Sequence, residues 1–261
     1  MPAVLLDPPA VLDWEQFYEL ERRENGQGEH RLFIGPTQSG KTTLCRKIAA
    51  LRSYVVVLGT KNKDTALDAY IIEGYKRIMA WPPTKKEIDE ATQPDGSVRF
   101  ILWPKFNSLH SLDDPKIRQN FVKLFEQAYN EGYWTIVCDE SLWLAARDGL
   151  ALDGVLAKMA FASASNKVSL YLCMQRPSGI SRTTWSNATD AYVFHMGVTN
   201  DLRELASLGT YSPKDAREVI QGLKGKNFLK MPIRGGAEWT ISQVSPQAAQ
   251  PSRSEFSTTA A

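Results

Sequence analysis

Nine consecutive residues, Gly35-Pro36-Thr37-Gln38-Ser39-Gly40-Lys41-Thr42-Thr43, restrict this chain more than any other stretch. They fit the pattern G-x-x-x-x-G-K-[ST]. Apolar Leu32, Phe33 and Ile34 precede them, as a strand would, and a helix-forming run from Leu44 to Leu51 follows. In a strand–loop–helix setting this pattern binds phosphate. Gly35 and Gly40 permit backbone angles that let amide N–H groups converge on an anion. The new helix points its positive end at the same place. Lys41 is expected to reach the β- and γ-phosphates, and the Thr42 hydroxyl to hold Mg²⁺. All nine residues, Gly35 to Thr43, are candidate nucleotide-binding positions.

A second signature lies about a hundred residues on. Trp134-Thr135-Ile136-Val137-Cys138 reads as a buried strand, and it ends in Asp139-Glu140. The intervening length suits a few βα units. Asp139 is expected to bind Mg²⁺ through its water shell. Glu140 is placed to orient and deprotonate an attacking water, which points to hydrolysis rather than transfer to a small metabolite. A third candidate, Gln175, follows the buried strand Val168–Met174 and opens Gln175-Arg176-Pro177-Ser178. Ligands of open α/β sheets sit at strand C-termini, so Gln175 is expected to touch both the γ-phosphate and the attacking water.

The length of 261 residues, 43% of them hydrophobic, suits one α/β domain with short extensions. The formal charge of +2 excludes a uniformly basic nucleic-acid glove but not a local basic strip. Cys45, Cys138 and Cys173 are expected as buried thiols in a reducing compartment, and His30, His110 and His195 have no metal-ligand spacing. No apolar run is long enough to span a bilayer and no signal peptide is evident, so a soluble, cytoplasmic protein is expected.

In chain order, residues 1–29 read as an appendage, with Asp13 capping a short helix that ends near Asn25-Gly26. Residues 30–244 read as the catalytic domain. Its further expected strands are Tyr54–Leu58, Val98–Trp103 and Ala191–Met196, and its expected helices include Thr65–Tyr75, Asp114–Glu131, Leu142–Ala146, Leu150–Ser165, Asn200–Leu208 and Asp215–Gly222. Pro82-Pro83 and the polar segment to Gly96 read as a loop. Phe228–Met231 and Trp239–Val244 read as a hairpin around Gly235-Gly236. The polar tail, 245–261, is expected to be disordered. Thr65 stands where a guanine-specific N-K-x-D motif starting at Asn62 needs Asp, so a GTPase is not expected.

Taken together, Gly35–Thr42, Asp139-Glu140 and Gln175-Arg176-Pro177-Ser178-Gly179-Ile180-Ser181-Arg182 resemble the FtsK–HerA group of P-loop ATPases, over about residues 30–235. The resemblance implies a RecA-like α/β fold, with a mainly parallel central sheet flanked by helices. It also implies ATP and Mg²⁺ as ligands and a homo-oligomeric ring, often a hexamer, in which a neighbouring subunit supplies an arginine. Arg147, Arg176, Arg182 and Arg203 are candidates for that arginine, and Arg182 is favoured because it begins the segment after Gln175. Double-stranded DNA is the implied cargo, with viral genome packaging as the specific role and a portal or capsid protein as a possible partner, in the host cytoplasm or the virion. Lys61, Lys63, Lys85, Lys86, Lys105, Lys224 and Lys226 are available for DNA phosphates. Two rival readings are an ATPase that secretes protein or extrudes a filamentous virion, and a nucleotide switch or small-molecule kinase. Glu140 and Gln175 speak against the last.

Overall fold

The computed structural model describes residues 8–106, 115–177, 180–206, 213–233 and 238–245. Among them ten strands join in one sheet: β1 (Ala10–Val11), β2 (Arg31–Ile34), β3 (Tyr54–Leu58), β4 (Lys76–Ile78), β5 (Val98–Leu102), β6 (Thr135–Cys138), β7 (Ser169–Met174), β8 (Asp190–Phe194), β9 (Asn227–Pro232) and β10 (Thr240–Gln243). The spatial order is β1-β10-β9-β8-β2-β7-β6-β3-β5-β4. The seven strands from β8 to β4 in that order run parallel. β9 and β10 add an antiparallel edge, which β1 extends.

The sequence explains which strands are central. β2, β6, β7 and β8 are buried at every position, and β3 at all but Tyr54. Continuous apolar runs of this kind suit a parallel sheet covered on both faces. The cover comes from α1 (Trp14–Glu24), α2 (Lys41–Ala49), α3 (Thr65–Ile72), α4 (Lys85–Ala91), α5 (Pro115–Glu131), α6 (Ser141–Ala145), α7 (Asp153–Ala162), α8 (Arg182–Ser186), α9 (Thr199–Ala206) and α10 (Pro213–Gly222). In α5 the buried residues are Ile117, Phe121, Leu124, Phe125 and Ala128, the stripe the spacing predicts.

The segment expected as a loop up to Gly96 is not one. Lys76–Ile78 adds a strand beside β5, and Lys85–Ala91 forms a helix. Thr84 and Glu87 make a reciprocal capping box that starts this helix, a local signal stronger than the polar composition around it. The helix expected from Leu150 begins only at Asp153, and the one expected to reach Tyr75 stops at Ile72, before Gly74 at φ +88°. Ser178, Leu208, His110, the Gly235-Gly236 turn and the tail from 246 onward lie outside the described residues.

Asp13 caps α1 with Gln16 in the same reciprocal way. This helix inserts Phe17, which is fully buried, against Phe228 with ring centroids 4.9 Å apart. Beneath it lies a buried ion network. Arg31, wholly inaccessible, meets Glu21 at 2.8 Å, Glu29 at 2.8 Å and Asp190 at 3.0 Å, while Lys230 meets Glu21 at 2.9 Å and Glu24 at 3.1 Å. The network ties α1 to β2, β8 and β9 at the sheet edge opposite the phosphate loop.

Candidate nucleotide site

Parallel strands direct all their C-termini to one edge. The loops after β2, β3, β6, β7 and β8 therefore share that edge, where ligands of open α/β sheets sit. The sheet order places β7 between β2 and β6. Gln175 thus emerges between the phosphate loop and the Asp139-Glu140 pair, although sequence separates these three by up to 140 residues, the span from 35 to 175.

The loop is shaped by its backbone. Gly35 N–H donates to the Met174 carbonyl at 3.1 Å, which fixes the loop's start against β7. A Cβ on Gly35 would lie 2.7 Å from Phe194 Cβ and 2.9 Å from Ser39 Oγ, so no side chain fits there. Gln38 and Gly40 adopt φ of 64° and 105°, and Gly40 is the N-cap of α2. Left-handed angles at these positions turn the chain so that amides face inward. Lys41 Nζ donates to the Pro36 carbonyl at 3.3 Å, so the ammonium arches over the loop.

Thr42 Oγ1 donates to Asp139 Oδ1 at 2.8 Å, across the width of β7. Asp139 is only 8% exposed. Burial pushes its carboxyl above the usual range, partly countered by the Thr42 hydrogen bond, and the nearby Asp64 and Glu140 charges add to the rise. A buried carboxylate joined to a hydroxyl is a hard-oxygen pair short of positive charge, and this donor set fits Mg²⁺. Glu140 lies beside it, half-buried, with Oε1 2.5 Å from Lys61 Nζ. Burial works against the charged Lys61, but the Glu140 hydrogen bond and the Asp64 and Asp139 charges outweigh it, so the Lys61 pKa is raised. Lys61 is held there because its carbonyl accepts the Trp103 indole N–H at 2.6 Å.

Gln175 is exposed one residue beyond the Ile34–Met174 pair, at the level of Gly35. The arginine candidates differ. Arg176 Nε lies 3.9 Å from Asp201 Oδ2, Arg182 rests 6.0 Å from the Trp185 ring centre at the start of α8, and Arg147 and Arg203 are exposed. None of the four makes a described contact with the phosphate loop.

Two features were not legible in the sequence. Lys61 appeared only as a possible DNA contact, yet it pairs with Glu140. His195 and Lys224 were read as an ordinary histidine and a possible DNA contact, yet with Leu223 and Gly225 they face loop residues 36–39 across a cavity. The position of His195 directly after a buried strand was the one available signal; nothing in the spacing pointed to residues 223–225. The three cysteines are free and buried, as expected.

A β2–loop–α2 unit with an acidic pair two strands away defines a P-loop NTPase fold. The solved structures it resembles are of the FtsK–HerA type. The DNA-packaging ATPase B204 from Sulfolobus turreted icosahedral virus superimposes with a TM-score of 0.56 at 17% identity, covering 83% of this chain and 97% of that one. The genome packaging NTPase B204 from Sulfolobus turreted icosahedral virus 2, in complex with ATP-γ-S, gives 0.54 at 15% identity over 82% and 95%. The cytoplasmic domain of the type VII secretion ATPase EccC from Thermomonospora curvata gives 0.51 at 19% identity over 84% of this chain and 26% of that one. No family model and no curated protein sequence matches this chain. No helix among the described residues is long and apolar enough to cross a membrane.

Proposed function

We propose that this protein is a Mg²⁺-dependent ATPase that moves double-stranded DNA, with packaging of a viral genome as its specific role. The Thr42–Asp139 contact carries the reading, because it joins the loop that would hold the phosphates to the acidic strand end across an intervening strand. In this scheme the amides of residues 35–43 and Lys41 hold the triphosphate. Thr42 and Asp139 hold Mg²⁺, which when bound neutralises charge on the phosphates. Glu140 takes a proton from the attacking water, and Gln175 orients that water and senses the γ-phosphate. The catalytic unit spans 30–244, and residues 1–29 are an accessory segment that anchors α1 on it. Copies form a ring, a hexamer by family analogy, in which Arg182 of one subunit reaches the next. The protein works in the cytoplasm of a host cell or at the virion, with a portal or capsid protein as recruiting partner.

Likeness in fold to DNA-packaging ATPases supports DNA as cargo. Likeness to a secretion ATPase keeps protein export or virion extrusion as the second reading. ATPase activity measured with and without double-stranded DNA at low salt separates them. A several-fold stimulation by DNA is expected. Its absence removes DNA as the cargo.

A further inference from the structure

We propose that Trp103 is a positioning residue for hydrolysis, acting through Lys61 on Glu140. The inference rests on the hydrolysis reading above and adds the group that decides where the Lys61 ammonium stands. Trp103 directly follows β5 and is 4% exposed, and its backbone N–H donates to the Ile78 carbonyl at 2.8 Å. Its indole N–H donates to the Lys61 carbonyl at 2.6 Å. Among the described hydrogen bonds, this is the one that holds the backbone of residues 60–63. The two ends of that loop are fixed separately. Gly59 N–H donates to the Leu102 carbonyl at 2.9 Å, and Asp64 caps α3 by accepting the Ala66 N–H at 3.0 Å.

The indole is itself held by the strands on either side of β5. Gly59 follows β3, and a Cβ there would stand 2.6 Å from Trp103 Cγ and 2.7 Å from Cδ1, so glycine is what lets the ring come this close. Arg77 lies in β4, and its guanidinium carbon is 4.2 Å from the ring centre, a cation–π contact. The ring is therefore locked, and its single donor points one way. The consequence for chemistry follows from how a lysine is built. Its ammonium rides on a flexible four-carbon stem, so its position depends on where the backbone is anchored. With the carbonyl fixed, Lys61 Nζ spans to Glu140 Oε1 at 2.5 Å and stands 4.0 Å from Asp64 Oδ2. With the carbonyl released, the ammonium gains arrangements away from Glu140, and the base is open to water for more of the time.

The test is a double-mutant cycle on steady-state ATPase rates without DNA. Trp103→Phe keeps an aromatic ring and removes the N–H. It should raise kcat by about two- to fivefold, as loss of a half-exposed ion pair allows. The KM for ATP should stay within about twofold, because the phosphate loop is untouched. In the Lys61→Met background the same change should leave kcat unaltered, because the residue it acts through is gone. Gly59→Ala displaces the indole without altering it, and should repeat both results. A merely structural tryptophan lowers stability alike in both backgrounds and raises kcat in neither. An unchanged or lower kcat in Trp103→Phe overturns the inference, as does an equal rise in the Lys61→Met background. If Trp103→Phe fails to fold, Gly59→Ala decides by the same criteria. Glu140→Gln separates the two levels of inference: hydrolysis near the unaltered rate there refutes the base itself, whatever the tryptophan variants do.

Discussion

Lys61 Nζ sits 2.5 Å from Glu140 Oε1, so the carboxylate proposed above as the base is already bound to a cation from the loop after β3. A carboxylate in an ion pair is a weaker base than a free one. Lys61 is also about half exposed, so the pair can open to solvent or to another anion. Lys61→Met is therefore expected to raise turnover without DNA. A half-exposed pair is worth about 1 kcal/mol, or roughly fivefold in rate. Steady-state ATPase assays check this, and a fall in kcat would show instead that Lys61 positions the base.

Gly35→Ala tests the shape of the loop. The added methyl would meet Phe194 Cβ at 2.7 Å and Ser39 Oγ at 2.9 Å, and the Phe194 backbone is locked in β8. The loop must shift, at an expected cost of about 1–3 kcal/mol together with most nucleotide affinity. Thermal unfolding and ATP titration measure the two effects.

Thr42→Val removes the hydroxyl but keeps the volume. Asp139 then stays buried without its donor, which should lower stability by about 1–3 kcal/mol. Activity is expected to be lost at any Mg²⁺ concentration, and in the unaltered protein chelation of Mg²⁺ should stop turnover. ATPase assays across a Mg²⁺ series, paired with denaturant unfolding, provide the check.

Lys230→Met tests the network at the far edge. It takes from the fully buried Glu21 one of its two cations, leaving Arg31 at 2.8 Å, and weakens the hold of α1 on β9. Removing one partner of a buried pair costs about 3–5 kcal/mol, and the remaining Arg31 holds the loss toward the lower end. Chemical denaturation is expected to show that loss without a change in ATP affinity per folded molecule, because the network lies opposite the nucleotide edge.

Most of the central sheet could be read from the sequence because buried parallel strands are continuous apolar runs. Tyr54–Leu58 and Val168–Met174 are of this kind; the first stops at Gly59 and the second at Gln175. Lys76–Ile78 and Lys85–Ala91 were missed because an edge strand of three residues and a polar helix carry no apolar period; only the Thr84–Glu87 box marked the helix. The candidate residues Lys41, Thr42, Asp139, Glu140 and Gln175 could be singled out because each belongs to a motif that begins at a strand end, and the structure brings Thr42 and Asp139 into contact. The Lys61–Glu140 pair and the His195–Leu223 cavity could not, because strand order decides them, and strand order is written in contacts between distant segments.

The proposed mechanism of hydrolysis rests on Glu140 acting as the base. The most direct measurement is single-turnover ATP hydrolysis by Glu140→Gln, with ATP binding measured on the same sample. Unchanged binding with hydrolysis slowed by about a hundredfold or more is the predicted result. Hydrolysis near the unaltered rate would contradict the account.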